Sequence, residues 1–267
     1  MQLRGPEVVL MGRMFGVVLA AVSLHAKPVL ALSAKETRDL VALIDSRQNN
    51  VGDYNSTAFL DQKQKHGGSK AFEAEIYRRD KDETLMIVFT KPKTEAGKGY
   101  LRVDKNLFSY DPTLGKWDRQ TDRVAIAGTD SRRADFDASR LAKEYTAEYV
   151  KDEVLGKIPT YQLKLTAKSG LDVVAPILLL WVDKESKNLL KRQEKAQSGK
   201  LLRTIYFPAW DQVYSKQKEA DLYVIKEMRV FDEVEKGNST TVLIKNVRLK
   251  PLEKNIFTKA WLESRSK

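Results

Sequence analysis

Few side chains in this sequence are suited to catalysis or metal binding. There is no cysteine, and the two histidines are His25 and His66. His66 lies in a polar, glycine-bearing turn, and one exposed imidazole makes neither a catalytic triad nor a metal site. The same turn, HGGSK, lacks the Walker spacing of a phosphate-binding loop. We therefore predict no catalytic residue, no metal site, no cofactor and no enzyme.

One short stretch combines acidic and basic residues closely enough to interact. Its carboxylates are Asp130, Asp135 and Asp137, and its guanidinium groups belong to Arg132, Arg133 and Arg140. A neighbouring cation lowers the pKa of a carboxyl group, whereas an acid catalyst at neutral pH needs a raised one. We expect these residues to form local, structural ion pairs. The alternative is that Arg132 and Arg133 contact a phosphate head group.

The composition is that of a soluble, globular and basic protein. Hydrophobic residues make up 42% of the 267 residues, charged residues 31%, and the net charge is +11. The lysines and arginines are scattered without a dense run, so we predict no nucleic-acid partner. Contact with an anionic membrane surface stays open.

The N-terminus has the pattern of a cleaved signal peptide. Arg4 and Arg13 precede an apolar stretch, Met14 to Leu24, that is too short to span a bilayer. We predict cleavage after Ala31, with Ala26 and Ala34 as alternatives. The mature chain, residues 32–267, is predicted to be one periplasmic domain that is neither transmembrane nor, without cysteine, a lipoprotein.

Alternating apolar residues predict about ten strands between residues 72 and 247. Two helices are predicted, at residues 33–47 behind a capping box formed by Ser33 and Glu36, and at residues 136–145. Residues 256–262 are expected to form a last short helix or strand. A long antiparallel sheet tends to curl, and its concave face needs a cover.

Apolar side chains of this sheet and of the two helices are the candidate ligand-binding residues. The predicted lining of the cavity is Met86, Val88, Leu101, Val103, Phe108, Tyr110, Leu179 and Trp181. The predicted lid residues are Leu40, Leu43, Ile44, Phe136 and Leu141. In the strand at residues 177–182, alternation also allows the opposite set, Leu178, Leu180 and Val182, to point inward. Plain core packing would need the same aromatic and aliphatic residues.

The middle of the chain resembles the LolA-like family of outer-membrane lipoprotein-sorting proteins. The resemblance rests on the order and spacing of short motifs, namely FTKPKTEAGKG at 89–99, the Tyr-Asp-Pro at 110–112, Gly-Thr-Asp at 128–130 and Asp-Phe-Asp at 135–137. It extends over most of residues 70–262. The chain departs from the family pattern at Ser131 to Ala134, which lie between the last two motifs.

This resemblance implies a mainly β fold, a strongly curved and incompletely closed antiparallel barrel of about ten to eleven strands with helices over the concave face. It also implies a periplasmic carrier that shields the acyl chains of lipoproteins or other lipids, with an inner-membrane transporter as donor and an outer-membrane acceptor. Two alternatives remain: an envelope scaffold that docks a protein or an anionic membrane, and a lipid hydrolase.

Overall fold

A computed structural model describes residues 1–2, 31–50, 52–121 and 123–266, so the predicted signal peptide lies almost entirely outside the described residues. Residues 31–267 form one compact unit. Its helices are α1 (Ala34–Gln48), α2 (Leu141–Glu144) and α3 (Lys259–Arg265). Its strands are β1 (Asp53–Lys63), β2 (Ser69–Arg79), β3 (Thr84–Lys91), β4 (Gly99–Val103), β5 (Asn106–Asp111), β6 (Lys116–Gln120), β7 (Tyr145–Leu155), β8 (Ile158–Ala167), β9 (Ile177–Asp183), β10 (Leu189–Lys195), β11 (Leu201–Ser215), β12 (Ala220–Asp232) and β13 (Ser239–Arg248).

Helix α1 begins where the sequence predicts. Ser33 is its N-cap, and its hydroxyl accepts a hydrogen bond from the Glu36 backbone N–H at 3.2 Å. The Glu36 carboxylate accepts in return from the Ser33 backbone N–H at 2.8 Å, which completes the capping box. The predicted start and cap of this helix are therefore confirmed.

All thirteen strands belong to one antiparallel sheet, in the order β6-β5-β4-β3-β2-β1-β13-β12-β11-β10-β9-β8-β7. Ten of them correspond to predicted strands, and β1, β6 and β7 are additional. Two of these three are the edge strands, whose many polar residues hide the alternation that marks a strand with one buried face. The predicted count of ten to eleven was therefore too low, whereas the mainly β, open sheet is confirmed.

This order requires the chain to travel from one edge of the sheet to the other. Hairpins connect β1 through β6, and a second series connects β7 through β13, which returns to pair with β1. Between β6 and β7 the chain crosses from edge to edge. We call residues 123–140 the crossing segment.

One face of the sheet, here called the inner face, carries the main hydrophobic core. Along β9, Leu178, Leu180 and Val182 belong to this core, and along β3 Leu85, Ile87 and Phe89 do. Leu40, Val41 and Ile44 of α1 pack into the same core. Because β3 and β9 lie far apart in the sheet order, the sheet must curl around this face to bring them together.

The opposite, outer face is covered over one half of the sheet by the C-terminal segment. Trp261 and Leu262 of α3 form a second apolar cluster with Met86 and Val88 of β3 and Leu101 of β4. Residues 256–262, predicted as a short helix or strand, thus contribute the start of a helix. Apolar side chains therefore occupy both faces of β3 and β4.

The predicted helix at residues 136–145 is wrong in its extent. The crossing segment is irregular, with single 3-10 turns at Ile126–Gly128 and Arg133–Asp135, and only Leu141–Glu144 is α-helical. Tyr145 already begins β7. Helical spacing of Phe136, Leu141 and Tyr145 was misleading, since these residues reach the core from three different local conformations.

Candidate functional site

A cleft of about 140 Å³ opens on the inner face between the crossing segment and strands β9 to β12. We call it the inner cleft. Its floor is apolar and comes from the sheet, through Leu178, Leu189, Phe207, Ile225 and Met228. Its roof and rim are polar and come mainly from residues 133–144. The cleft is therefore amphipathic, with an apolar surface facing a charged one.

The crossing segment is tied to strands on both halves of the sheet. The Ala127 backbone N–H donates to the Tyr100 hydroxyl of β4 at 3.0 Å. The Asp130 backbone N–H donates to the Thr240 hydroxyl of β13 at 3.0 Å, and the Gln62 side chain of β1 donates to the Gly128 carbonyl at 2.8 Å. These bonds hold the segment across the inner face.

The strongest ties are buried ion pairs around Asp135. Its carboxylate is fully buried and lies 2.6 Å from the guanidinium of Arg192 on β10 and 2.5 Å from that of Arg203 on β11. Glu194 of β10 lies 3.1 Å from Arg203 and 3.3 Å from Arg132. Burial alone would raise the pKa of Asp135, but Arg203 and Arg192 outweigh it, so this pKa lies below its ordinary value.

A second ion-pair group surrounds Asp137, which also lines the cleft. Its carboxylate contacts Arg133, and it lies 3.5 Å from Arg102 of β4 and 3.7 Å from Arg140. Burial lowers the pKa of Arg102 despite the attraction of Asp137. The expected local pairing is confirmed for Asp137, which pairs with Arg133 and Arg140, whereas Asp135 pairs with strands distant in sequence. Asp130 makes no ion pair among the described residues; its carboxylate accepts from the Thr240 hydroxyl, and burial raises its pKa.

Helix α1 is joined to the roof through Asp45. Its carboxylate accepts hydrogen bonds from the Ser139 hydroxyl at 2.5 Å and from the backbone N–H groups of Leu141 and Ala142 at 3.1 and 2.8 Å. Burial raises the pKa of Asp45 despite these bonds. Asp45 thus holds the start of α2 against the C-terminal half of α1.

The structure brings none of the eight predicted cavity residues to the inner cleft. The eight are Met86, Val88, Leu101, Val103, Phe108, Tyr110, Leu179 and Trp181. The first three belong to the cluster beneath α3, and Val103 and Tyr110 pack against it. Phe108 is paired with Leu101 across β4 and β5, and its ring lies 4.5 Å from Lys259 Nζ.

The last two, Leu179 and Trp181, alternate with the core residues of β9 and therefore also lie on the outer face. The Trp181 indole N–H donates to Glu153 at 2.7 Å. This corrects the predicted face. Alternation defines two faces equally well, and in β9 both sets of side chains are apolar, so no difference in polarity distinguishes the faces.

Four of the five predicted lid residues do belong to the main core. Leu40, Ile44, Phe136 and Leu141 are buried there, whereas Leu43 is 40% exposed on α1. Leu141 also lines the inner cleft. The sequence did not reveal Arg192 and Glu194 of β10, which line the cleft, or Arg203 of β11, which pairs with Glu194. Arginine and glutamate in a strand usually indicate solvent-facing positions.

Other chemistry is sparse in the part of the chain that the structure describes. No cluster of three or more histidine or acidic side chains there is arranged to hold a metal. No helix among the described residues has the length and apolar character needed to cross a membrane.

Comparison with known proteins places the chain by family and by fold. The model of a family described as "Uncharacterized protein" matches residues 81–264. The sequence matches none of the curated proteins. Among solved structures, a putative outer membrane lipoprotein-sorting protein domain from Vibrio parahaemolyticus superposes with a TM-score of 0.75 at 18% identity, covering 86% of this chain and 100% of that one.

Two further structures are similar over nearly their whole length. A LolA superfamily protein from Nitrosomonas europaea has a TM-score of 0.71 at 16% identity, covering 84% of this chain and 98% of its own. A DUF1329 family protein from Desulfovibrio piger has a TM-score of 0.75 at 21% identity, covering 86% and 98%. The resemblance predicted from the sequence is confirmed. The chain belongs to the family whose model spans residues 81–264, and its fold is that of the LolA superfamily and of outer membrane lipoprotein-sorting domains.

Proposed function

We propose that the protein is a non-catalytic periplasmic carrier that shields an acyl chain of a lipoprotein or other lipid in the inner cleft. The observation that carries this proposal is the apolar floor of the cleft, facing inward beneath a polar roof on a LolA-type fold. The paired state of Asp135 and Asp137 supports binding rather than acid–base catalysis.

Burial of hydrocarbon supplies the affinity in this proposal. Each methylene removed from water contributes about 0.8 kcal/mol, so a chain of about ten methylenes contributes roughly 8 kcal/mol before the costs of binding. An apolar cavity of about 150 Å³ holds a benzene-sized group. The cleft, at about 140 Å³, therefore takes part of a chain as it stands, and a longer chain requires the crossing segment to move.

The remaining elements of the proposal follow from the predicted export and from the fold. A periplasmic carrier receives its cargo at one membrane and releases it at the other. We propose an inner-membrane transporter as donor and an outer-membrane protein as acceptor, with peripheral contact at either membrane.

Two buried methionines offer a matched test of the binding face. Met228 lines the inner cleft and is 1% exposed, whereas Met86 lies beneath α3 on the outer face and is 0% exposed. We expect Met228→Gln to weaken binding of a fluorescent fatty-acid probe by about tenfold, since it places a polar group on the apolar floor. Met86→Gln should lower the free energy of unfolding about as much as Met228→Gln does, and it should leave the probe affinity within twofold of wild type.

The native cargo is tested separately by purifying the mature protein from the periplasm and analysing extracted lipid by mass spectrometry. We expect a stoichiometric acylated species with wild type and a depleted one with Met228→Gln. Absence of acylated species together with absence of probe binding would overturn the carrier proposal.

A further inference from the structure

The buried ion-pair group at the inner cleft has spare hydrogen-bond donors and no spare acceptors. Both carboxylate oxygens of Asp135 and of Glu194 are engaged by arginine. In contrast, the Nε–H groups of Arg192 and Arg203 are buried without a partner among the described residues. An unmade hydrogen bond of a buried charged donor is costly, and Arg192 lines the cleft whereas Arg203 does not, so the Nε–H of Arg192 favours an incoming acceptor.

The charges of this group balance one another. Three guanidinium groups, those of Arg132, Arg192 and Arg203, surround the two carboxylates of Asp135 and Glu194. Asp130, which also interacts with Arg203, has its carboxylate engaged by the Thr240 hydroxyl at 2.7 Å. With Asp130 included, three carboxylates face the three guanidinium groups. The unused Nε–H of Arg192, and not a net positive charge, is therefore what this group offers an anionic ligand.

Arg192 also stands beside the apolar floor. It lines the cleft, and its guanidinium carbon lies 5.9 Å from the centre of the Phe207 ring. Phe207 and Met228 belong to the same apolar floor. A ligand that places an anionic group against Arg192 can therefore bring its hydrocarbon chain into contact with these residues.

We propose that the inner cleft selects amphiphiles with an anionic head group, a carboxylate or phosphate, which is held by Arg192 while the acyl chain lies on the floor. The proposal rests on the carrier function proposed above and names its ligand class. Both oxyanions present acceptor oxygens to a guanidinium in a planar, charge-assisted geometry that a neutral ester cannot match.

Three ligands separate the contribution of the head group to affinity from that of the chain: dodecanoate, its methyl ester and acetate. Calorimetric or dye-displacement titration of the mature protein should give an affinity for dodecanoate at least tenfold above that for the methyl ester, with no measurable acetate binding. Equal affinities for acid and ester would overturn the head-group proposal and leave the carrier function intact. If neither dodecanoate nor the ester binds, both proposals fail.

Two neighbouring residues on opposite faces of β10 provide the variants. Arg192→Gln should reduce the preference for dodecanoate over the ester to below threefold, with ester affinity retained. Lys191→Gln removes the same charge on the outer face, where Lys191 Nζ lies 4.3 Å from the Trp181 ring, and should preserve the preference. Loss of the preference in Lys191→Gln as well would mean that general surface charge causes it, which contradicts the proposal. Should Arg192→Gln not fold, the comparison of acid and ester on the wild type decides.

Discussion

Asp135 shares its carboxylate between two adjacent strands, and this sharing explains why a fully buried charge is tolerated. Each oxygen faces a different guanidinium, that of Arg192 or that of Arg203, and the Arg132 backbone N–H also donates to it at 2.8 Å. Burying such a charge is expensive unless it is paired in this way. Loss of the carboxylate would leave two buried arginines partly uncompensated.

We therefore predict that Asp135→Asn destabilises the protein by about 3–5 kcal/mol, measured by urea unfolding at neutral pH. The matched control is Asp39→Asn on α1, whose partner Lys35 is exposed, and which should cost below about 1 kcal/mol. A loss at Asp135 no larger than the loss at Asp39 would show that the ion pairs do not hold the crossing segment in place.

Glu83, which interacts with the roof residues Arg140 and Lys143, gives a pH-dependent prediction. The hydrogen bond from Lys143 is the main cause that lowers the pKa of Glu83 to about 2, and Arg140 and Arg102 add to it. A carboxyl group whose pKa is lower in the folded state stabilises that state at pH values above its ordinary pKa of 4.5. This stabilisation is lost as the pH falls towards 2.

The urea midpoint of Glu83→Gln should accordingly lie below that of wild type at pH 7, with the gap narrowing between about pH 5 and pH 2. Urea unfolding curves of both proteins at pH 7, 4 and 3 measure this difference in midpoint. A gap that stays constant over this range would mean that the carboxylate does not titrate with a depressed pKa.

At the scale of elements, β9 shows what alternation does and does not reveal. Its seven residues predict a strand and the position of its ends. The side chains on its two faces, however, are both apolar sets. Leu178, Leu180 and Val182 face the main core, and Leu179 and Trp181 face outward. The face is decided by what covers it, which depends on strands and helices far away in sequence.

This assignment predicts opposite outcomes for neighbouring leucines. Leu180 is 0% exposed in the core, so Leu180→Lys should destabilise by several kcal/mol or prevent folding, because it buries an unpaired charge. Leu179→Lys on the outer face should cost no more than about 1 kcal/mol. Thermal unfolding of both variants measures the difference, and a reversed order would mean that the two faces have been exchanged.

The crossing segment shows a second limit of sequence reasoning at this scale. Its acidic and basic residues suggested local pairs, and the pair of Arg133 with Asp137 is local. Asp135 instead pairs with β10 and β11, more than fifty residues away. Such partners become visible only when the sheet order is known.

For the whole molecule, the sequence predicted the mainly β class, the open antiparallel sheet, the first helix and the family resemblance. Hairpins follow from local turns, so ten strands could be found one after another. The pairing of β1 with β13 and the passage from β6 to β7 are not local. They determine which face is enclosed, and therefore the location of the site could not be predicted from strand patterns.

The first helix gives a whole-chain prediction about processing. Cleavage after Ala34 would remove Ser33 and with it the capping box of α1, whereas cleavage after Ala31 leaves both in place. We expect the exported protein to begin at Leu32, as measured by intact mass and N-terminal sequencing. A mature N-terminus at Lys35 would contradict this expectation, and a chain that retains Met1 would contradict export with cleavage.

The four tryptophans are distributed so that each part of the fold has its own optical reporter. Trp210 packs against the main core, with its ring centre 6.0 Å from that of Phe207 on the cleft floor. Trp117 and Trp261 report on the docking of α3, and Trp181 lies on the outer face of β9, where its indole N–H donates to Glu153. A variant that retains Trp210 alone would therefore convert occupancy of the cleft into a change of intrinsic fluorescence, without any label on the cargo.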